Sequence, residues 1–254
     1  MISISILGSG NVAKHLWDAF LAQKEVTVNQ VIGRNPNTLA HFAGKTNTSQ
    51  NFESFMDADV YIIAVSDDAI PEVSPYLKNK GGLVVHTSGS VSLDVLADNP
   101  RAGIFYPLQT FTKTQHADFK EVPICLETKT EADGQLLHTL ASLISDRVYF
   151  VDFEQRKKLH LAAVFANNFS NHMFHIAHEI CEKNNLSFDI LKPLILETSK
   201  KIERLSPYES QTGPARRKDT GTLQKHINLI KEENQKEIYR LLSRSIQQTY
   251  GKKL

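Results

Sequence analysis

The stretch SILGSGNVAKHLWDAF (residues 5–20) decides the fold class of this chain. It passes from an apolar, β-type run into an apolar-periodic helical pattern through a turn of the form G-x-G-x-x-A. Gly8 permits the tight turn, Gly10 lets the backbone approach a pyrophosphate, and Ala13 allows close helix–strand packing. The free N–H groups at the start of the helix attract phosphate. The stretch predicts a dinucleotide-binding strand–turn–helix, with a purely structural turn as the alternative. The candidate cofactor-binding residues here are Gly8, Ser9, Gly10, Asn11 and Val12.

The rest of the front half alternates between strand-like and helix-like patterns. Residues 2–7, 27–33, 60–65, 83–86, 103–106, 122–126 and 148–151 read as short strands, and residues 12–21, 71–77 and 131–144 as helices. Strand, helix and strand at this spacing imply parallel strands with right-handed crossovers. Runs such as VYIIAV are apolar on both faces, as in a central strand covered on both sides. We therefore expect an α/β fold with a Rossmann-type, doubly wound and mostly parallel sheet.

The back half reads as helices alone. One long apolar helix runs through EQRKKLHLAAVFANNFSNHMFHIAHEICEKNN, and a second through SFDILKPLILETSKKIERL, with Ser187 as N-cap and Pro193 as a possible kink. A loop then leads to a third helix at about residues 223–250. We expect a nucleotide-binding domain at residues 1–153 and an all-helical domain at residues 154–254.

Composition narrows the class of protein. No window of the 254 residues reaches the roughly 18 apolar residues of a membrane span. The start lacks the features of a signal peptide, and two cysteines make no disulfide framework, so we expect a cytoplasmic protein.

Charge is distributed unevenly along the chain. Residues 1–154 carry 11 basic and 18 acidic side chains, and residues 155–254 carry 18 basic and 10 acidic side chains. We expect a solvated helix surface and neither nucleic acid nor membrane as partner. The alternative is an anionic small ligand between the halves.

The end of the second predicted strand indicates which nucleotide binds. NAD-specific folds place an acid there for the ribose 2′-OH. This chain has VIGRNP, with Arg34 in that place and Asn35 beside it. Because a guanidinium pairs bidentately with phosphate, we expect NADP as cofactor. The alternative is an exposed arginine in a turn.

Two further loops follow strands at the edge of the sheet where ligands collect. In AVSDDAIPEV, the backbone at Val65 and Ser66 is expected to line the nucleotide, and Asp67 or Asp68 to cap the next helix. In VVHTSGS, Thr87 is a candidate cofactor contact. His86 is a candidate general acid, because the pKa of histidine suits the task, and Ser88 is a candidate catalytic residue that could orient it. The alternative is a satisfied core histidine, with Thr87 and Ser90 capping a helix.

The long helix carries a polar stripe on one face, made of His160, Asn167, Asn171, His175 and His178. Asn168 lies at its edge. Such a stripe faces a cleft, water or another subunit, since unpaired buried amides are costly. His160, Asn167 and Asn168 are candidate catalytic residues. His175 and Glu179 could ligate a metal, but we expect no metal because a third ligand is missing.

These patterns resemble the 6-phosphogluconate dehydrogenase-like superfamily, which includes 3-hydroxyisobutyrate dehydrogenases and pyrroline-5-carboxylate reductases. HTSGS, FYPLQTF and TGPARRKDTGTLQKH are similar to a group of bacterial Rossmann-like proteins with a C-terminal domain of unknown function. The resemblance covers essentially the whole chain. It implies an NADP-binding oxidoreductase, dimeric through its helical domain, with the active site in the interdomain cleft.

One departure leaves the function open. Hydroxyacid dehydrogenases of the superfamily place a catalytic lysine three residues before an Asn-Asn pair, and here Val164 stands in that position. Valine cannot move a proton, so we expect His86, or second His160, to do so. The expected function is NADP-dependent reduction of a small carbonyl or imine compound. The alternative is an NADP-binding sensor or scaffold that has lost the chemistry.

Overall fold

The computed structural model describes residues 1–115 and 117–250. The strands are β1 (Ile2–Leu7), β2 (Val26–Ile32), β3 (Asn47–Ser49), β4 (Val60–Ile63), β5 (Leu83–His86), β6 (Ala102–Pro107), β7 (Ile124–Thr128) and β8 (Val148–Phe150). The helices are α1 (Asn11–Leu21), α2 (Pro36–Leu39), α3 (Ile70–Val73), α4 (Glu131–Ile144), α5 (Phe153–Ala163), α6 (Ser170–Lys183), α7 (Lys192–Lys201), α8 (Pro207–Ser210), α9 (Thr220–Leu229) and α10 (Glu233–Tyr250).

The eight strands form one sheet in the order β3-β2-β1-β4-β5-β6-β7-β8. Neighbouring strands are parallel, except that β7 runs antiparallel to β6. Strands β2 and β3 are added to one side of β1, and β4 and the strands after it are added to the other side. A ligand site is expected where this order reverses, at the carboxyl ends of β1 and β4. The predicted Rossmann-type sheet is confirmed. Strand β3 escaped prediction because NTS, three polar residues, has no apolar pattern.

Two apolar clusters cover the two faces of the sheet. One packs α1 and α4 against it, with Trp17, Phe20 and Leu137 among its buried side chains. The other packs α3 and the two 3₁₀ turns Ser74–Leu77 and Leu93–Leu96, with Ile70 and Leu77 at its centre. Every residue of β4 and β5 is buried, which explains their continuous apolar sequence.

The chain divides into two compact units, Met1–Asn168 and Phe169–Leu254. The first unit extends beyond the boundary expected at residue 153. Its last part is α5, whose Arg156 and His160 side chains hydrogen-bond to residues of the sheet and its loops. A domain boundary placed at the end of the last strand therefore excludes α5, although α5 packs with the sheet.

The helices of the back half differ from expectation at two places. The predicted helix over residues 223–250 is two helices, α9 and α10, because the backbone turns extended at Ile230 (φ −74°, ψ 128°). The two are joined by a hydrogen bond between His226 Nδ1 and the Tyr239 hydroxyl, 2.8 Å apart. Pro193 lies in the first turn of α7, where proline needs no kink. In the described part of the chain, no helix is long and apolar enough to cross a bilayer.

Candidate functional site

The turn after β1 has the geometry that its glycines predict. Gly8 adopts φ +118°, and a Cβ there would lie 2.1 Å from the Ala64 carbonyl oxygen. A Cβ on Gly10 would meet no atom within 4 Å. Gly10 is also the N-cap of α1 and provides no side chain to cap the helix. The N-terminus of α1 therefore has no side-chain cap and has open space beside Gly10, as a bound phosphate requires.

A cavity of about 660 Å³ opens above this turn. It is bounded by the ends of β1, β2 and β4 and by the loop after β6. Of the predicted cofactor-binding residues, all except Thr87 line it. The lining residues are Gly8, Ser9, Gly10, Asn11, Val12, Gly33, Arg34, Asn35, Thr38, Phe52, Ala64, Val65, Ser66, Ala69, Val73, Gln109, Thr110 and Phe111.

The rim of this cavity at the end of β2 suits a 2′-phosphate. Arg34 is exposed, and no hydrogen bond or ion pair occupies its guanidinium among the described residues. Ser9 Oγ and Thr38 Oγ1 lie 2.6 Å apart beside it. Asn35 caps α2 by accepting a hydrogen bond from the Asn37 N–H. The rim thus offers a cation and two hydroxyl groups, and no carboxylate lines it.

The loop after β4 lines the cavity at Val65 and Ser66. The expectation that Asp67 or Asp68 caps the following helix is wrong. Both aspartates lie inside a 3₁₀ turn, Asp67–Ala69, whose N-cap is Ser66. The Asp67 carboxylate instead accepts a short hydrogen bond from Ser90 Oγ, which joins the loops after β4 and β5.

The loop after β5 is largely buried. His86 is fully buried, and its Nδ1 accepts a hydrogen bond from the Ser88 N–H at 3.2 Å. Its Nε2 lies 3.4 Å from the Ser92 carbonyl oxygen, to which it can donate. Burial lowers the pKa of His86 to about 4, so the ring is neutral at pH 7. These contacts match the alternative of a satisfied core histidine rather than a general acid.

Its neighbours also make structural contacts. Thr87 donates its N–H to the Ile63 carbonyl, between β5 and β4. The Ser88 hydroxyl accepts hydrogen bonds from the N–H groups of Ser90 and Val91. The expected caps Thr87 and Ser90 are wrong, because Ser92 caps the next 3₁₀ turn.

Tyr106, at the end of β6, was missed by the sequence analysis. Its hydroxyl lies 2.9 Å from Nδ1 of His160, and the two rings meet edge to face. Burial raises the pKa of Tyr106 to about 12, so the phenol carries its proton at neutral pH. The motif FYPLQTF contains Tyr106, but the partner is 54 residues away, so no local pattern reveals the pair.

The Tyr106–His160 pair lines a second cavity of about 520 Å³. The predicted residues Asn167 and Asn168 line it too, together with Val164. The last three belong to a π-helical segment, Val164–Phe169, between α5 and α6, and such segments recur at functional sites. Gln109 and Thr110 line both cavities. A nucleotide in the first cavity therefore shares a wall with whatever occupies the second.

The loop that forms this shared wall is anchored to α1. The Asn11 amide donates to the Phe111 carbonyl at 3.0 Å, and His15 Nε2 lies 2.8 Å from the Thr112 carbonyl oxygen. The Phe111 ring packs on His15 and stacks on Phe119. The glycine turn and the shared wall are thereby held by the same helix.

The remainder of the polar stripe lies in the second unit. Asn171, His175 and His178 are exposed on α6. His175 Nε2 is 3.7 Å from Glu179 Oε1, and the His178 ring packs on Phe188. Only the His160 end of the stripe lines the second cavity.

Comparison with known proteins agrees with this geometry. Residues 3–89 match a family model described as NADP oxidoreductase, coenzyme F420-dependent, and residues 122–246 match a domain of unknown function, DUF2520. A candidate NADP oxidoreductase of Bacteroides fragilis is 38% identical, with 97% of this chain and 98% of that chain covered and a TM-score of 0.92. None of the curated proteins matches the chain.

More distant solved structures share the fold. A pyrroline-5-carboxylate reductase of Coxiella burnetii is 16% identical, with 98% of this chain and 97% of that chain covered and a TM-score of 0.60. An imine reductase of Myxococcus stipitatus in complex with NADP⁺ is 12% identical, with 98% and 92% covered and a TM-score of 0.67.

The expected resemblance and the expected cofactor, NADP, are both confirmed at the level of the family. The glycine turn, the carboxylate-free rim at Arg34 and the 38% identity over nearly the full length agree. The chain belongs to the same family as the candidate NADP oxidoreductase of Bacteroides fragilis, and it joins an NADP oxidoreductase domain to a DUF2520 domain.

Proposed function

We propose that this protein is an NADP-dependent reductase of a small carbonyl or imine compound. The observation that carries the proposal is the Tyr106–His160 pair in a cavity that shares Gln109 and Thr110 with the nucleotide cavity. A proton donor beside a nucleotide site is what reduction of a C=O or C=N bond requires. The imine and pyrroline-5-carboxylate reductases named above have the same fold, which is consistent with this chemistry.

The first cavity has the residues to hold NADPH. The α1 N-terminus and Gly10 would bind the pyrophosphate, and Arg34, Ser9 and Thr38 the 2′-phosphate. When bound, the nicotinamide supplies a hydride to the carbon of the double bond. Arg34 would thus select NADPH over NADH. Gln109 and Thr110, which line both cavities, would orient the substrate relative to the nucleotide.

The pair supplies the proton that completes the reduction. As hydride adds to carbon, the carbonyl oxygen or imine nitrogen gains the electron pair of the double bond and needs one proton. Tyr106 Oη or His160 provides it, since the two are hydrogen-bonded across 2.9 Å and solvent can return a proton through the half-buried His160. General acids of this kind contribute roughly a hundredfold to ten-thousandfold in rate.

Asn167 and Asn168 would orient the substrate. Both are exposed to the cavity and offer amide donors and acceptors beside the pair. The side chains that line this cavity in the described part of the chain are neutral, apart from the titratable pair. The expectation of an anionic substrate therefore stays a prediction, because this largely neutral lining does not support it.

A second function is favoured by one residue. Val164 occupies the lysine position of the resembling dehydrogenases and contributes only an apolar side chain to the cavity. A protein that binds NADP and senses its level, without chemistry, would need no proton donor there. Such a sensor requires the first cavity and is indifferent to Tyr106 and His160.

The test is oxidation of NADPH by the purified protein with a panel of keto acids, ketones and cyclic imines. We expect turnover with at least one of them. Tyr106→Phe and His160→Gln should each lower kcat by about a hundredfold or more and leave the Kd for NADPH within twofold. Tyr149→Phe, at an exposed tyrosine of β8, is the matched control and should keep full activity.

Two results would contradict the proposal. NADPH binding without turnover of any substrate would favour the sensor. Turnover that survives both Tyr106→Phe and His160→Gln would move the proton donor elsewhere.

A further inference from the structure

Arg156 is a charged side chain that is fully buried in the first unit. Its Nη1 donates to the carbonyl oxygens of Ser88 and Val91 at 2.9 and 2.8 Å, and its Nη2 pairs with Glu127 Oε2 at 3.0 Å. The guanidinium also lies over the Phe153 ring, 5.4 Å from its centroid. Burying a cation is costly unless such partners compensate, and these contacts tie α5 to the loop after β5 and to β7.

The segment that Arg156 holds, residues 88–91, is pressed against the proton-donating pair. A Cβ placed on Gly89 would lie 2.7 Å from His160 Nδ1 and 2.7 Å from Tyr106 Cζ. Real Cβ atoms do not approach other atoms so closely, and only glycine fits without moving one of the two rings. The backbone of Gly89 is therefore the surface against which both rings rest.

Arg156 also fixes the helix that carries His160. The two residues are four apart on α5, so their side chains leave the same face of the helix. One anchors to the loop after β5 and the other to the end of β6. Helix α5, the loop after β5 and Tyr106 thus contact one another around the hydrogen bond between Tyr106 and His160.

We propose that Arg156 is a positioning residue for the Tyr106–His160 pair and acts through residues 88–91, with Gly89 as the contact surface. The role rests on the proposed function of that pair. It explains why HTSGS is rich in polar groups although none of them reaches the second cavity.

The first test adds the missing Cβ. Gly89→Ala should push the rings apart without unfolding the protein, because the backbone at Gly89 is not in the positive-φ region and the obstructing atoms are side-chain rings. We expect the ¹⁵N NMR signal of His160 Nδ1 to shift as far as it does in Tyr106→Phe, with His160→Gln used to assign it. Gly81→Ala is the matched control, since a Cβ there meets nothing within 4 Å.

The second test changes the anchor. Arg156→Lys keeps the charge, but a single ammonium does not reproduce the planar fork that bridges two carbonyls and a carboxylate. The same Nδ1 shift is expected. With an active substrate, kcat should fall about a hundredfold in both variants, as for a displacement of about 1 Å, at an unchanged Kd for NADPH.

The outcomes separate the two proposals. An Nδ1 signal in Gly89→Ala that equals those of the parent and of Gly81→Ala overturns the positioning role, whether or not any substrate is found. A shifted signal in a protein that turns over nothing supports the positioning role and refutes the reductase. An Nδ1 signal in Arg156→Lys that equals that of the parent overturns the role of Arg156. Should this variant fail to fold, Glu127→Gln, which removes the charge of its ion-pair partner, is measured in its place, and an unshifted signal there overturns the role.

Discussion

His86 and His160 have the same side chain in opposite environments. His86 is fully buried against two backbone groups, and this burial lowers its pKa and keeps its ring neutral. His160 is half-buried on a cavity wall and hydrogen-bonded to a protonated phenol. The sequence could place both near the site, since one ends a strand and the other lies on a polar stripe. The sequence could not show which of the two is the better candidate for the proton donor, because that depends on desolvation by residues far away in the chain.

The buried state of His86 predicts a pH dependence of stability. Its pKa falls from about 6.5 in the unfolded chain to about 4 in the fold. As pH drops below 6.5, only the unfolded state takes up this proton, so the free energy of unfolding decreases until pH 4, by up to roughly 3 kcal/mol at 1.36 kcal/mol per unit. Denaturant unfolding at pH 7 and pH 4.5 measures the loss.

The matched variant for this prediction is His86→Gln. It should be less stable than the parent at pH 7 and lose less stability on acidification, since the buried titrating group is gone. Parallel pH profiles in the two proteins would show that His86 contributes nothing to the acid sensitivity.

Arg34 predicts the choice between NADPH and NADH. Among the described residues, the rim at Arg34 has a guanidinium and two hydroxyl groups and no acidic side chain. We expect NADPH to bind at least tenfold more tightly than NADH, which is about 1.4 kcal/mol, and Arg34→Ala to remove the difference. Fluorescence titration with both nucleotides measures it, and Lys45→Ala, which removes an exposed cation outside the cavity lining, is the control. Equal affinities in the parent protein would contradict the assignment.

At the scale of elements, the strand–turn–helix of β1 and α1 was fully predictable. Its pattern is local, since glycine positions, apolar periodicity and turn geometry all lie within 20 residues. The break between α9 and α10 was not, because no glycine or proline marks Ile230 and the fold of the second unit imposes the turn. The π-helical segment Val164–Phe169 likewise has no sequence signal, although it displays the Asn pair that the polar stripe had singled out.

The same element predicts different effects for its two glycines. Gly8→Ala should lower the Tm by several degrees and weaken NADPH binding, because φ is +118° and the Cβ would clash with the Ala64 carbonyl. Gly10→Ala should leave the Tm unchanged, since its Cβ enters open space, and still weaken NADPH binding at least tenfold. Thermal unfolding and nucleotide titration of both variants check this. A normal Kd in Gly10→Ala would mean that the pyrophosphate does not lie above the turn.

At the scale of the whole molecule, the two units differ in how well they cover their own apolar side chains. In the first unit, two extensive apolar clusters pack between the sheet and the helices and turns that cover its faces. In the described part of the second unit, the buried apolar side chains are Cys181, Ala215 and Leu223. Large side chains there remain exposed, including Ile190, Leu194, Leu229 and Leu241 at 62–77% of their surface. Composition alone could not show this, because apolar content says nothing of which side chains find partners.

We propose that a second copy of the chain covers these faces. A monomer rarely exposes so many large apolar side chains, and closed two-fold symmetry is the commonest way in which identical chains bury them. The expected dimer through the helical domain therefore stands as a proposal.

The mass in solution tests the dimer. Light scattering at micromolar concentration should give twice the 28.6 kDa of one chain. Leu194→Asp and Leu229→Asp together should shift the protein toward the monomer mass, because a buried unpaired carboxylate is costly at an apolar interface. Leu21→Asp, at an exposed leucine of α1 in the first unit, is the control and should keep the dimer mass. A parent protein that remains at 28.6 kDa across this concentration range would refute the dimer and leave the exposed faces for another partner.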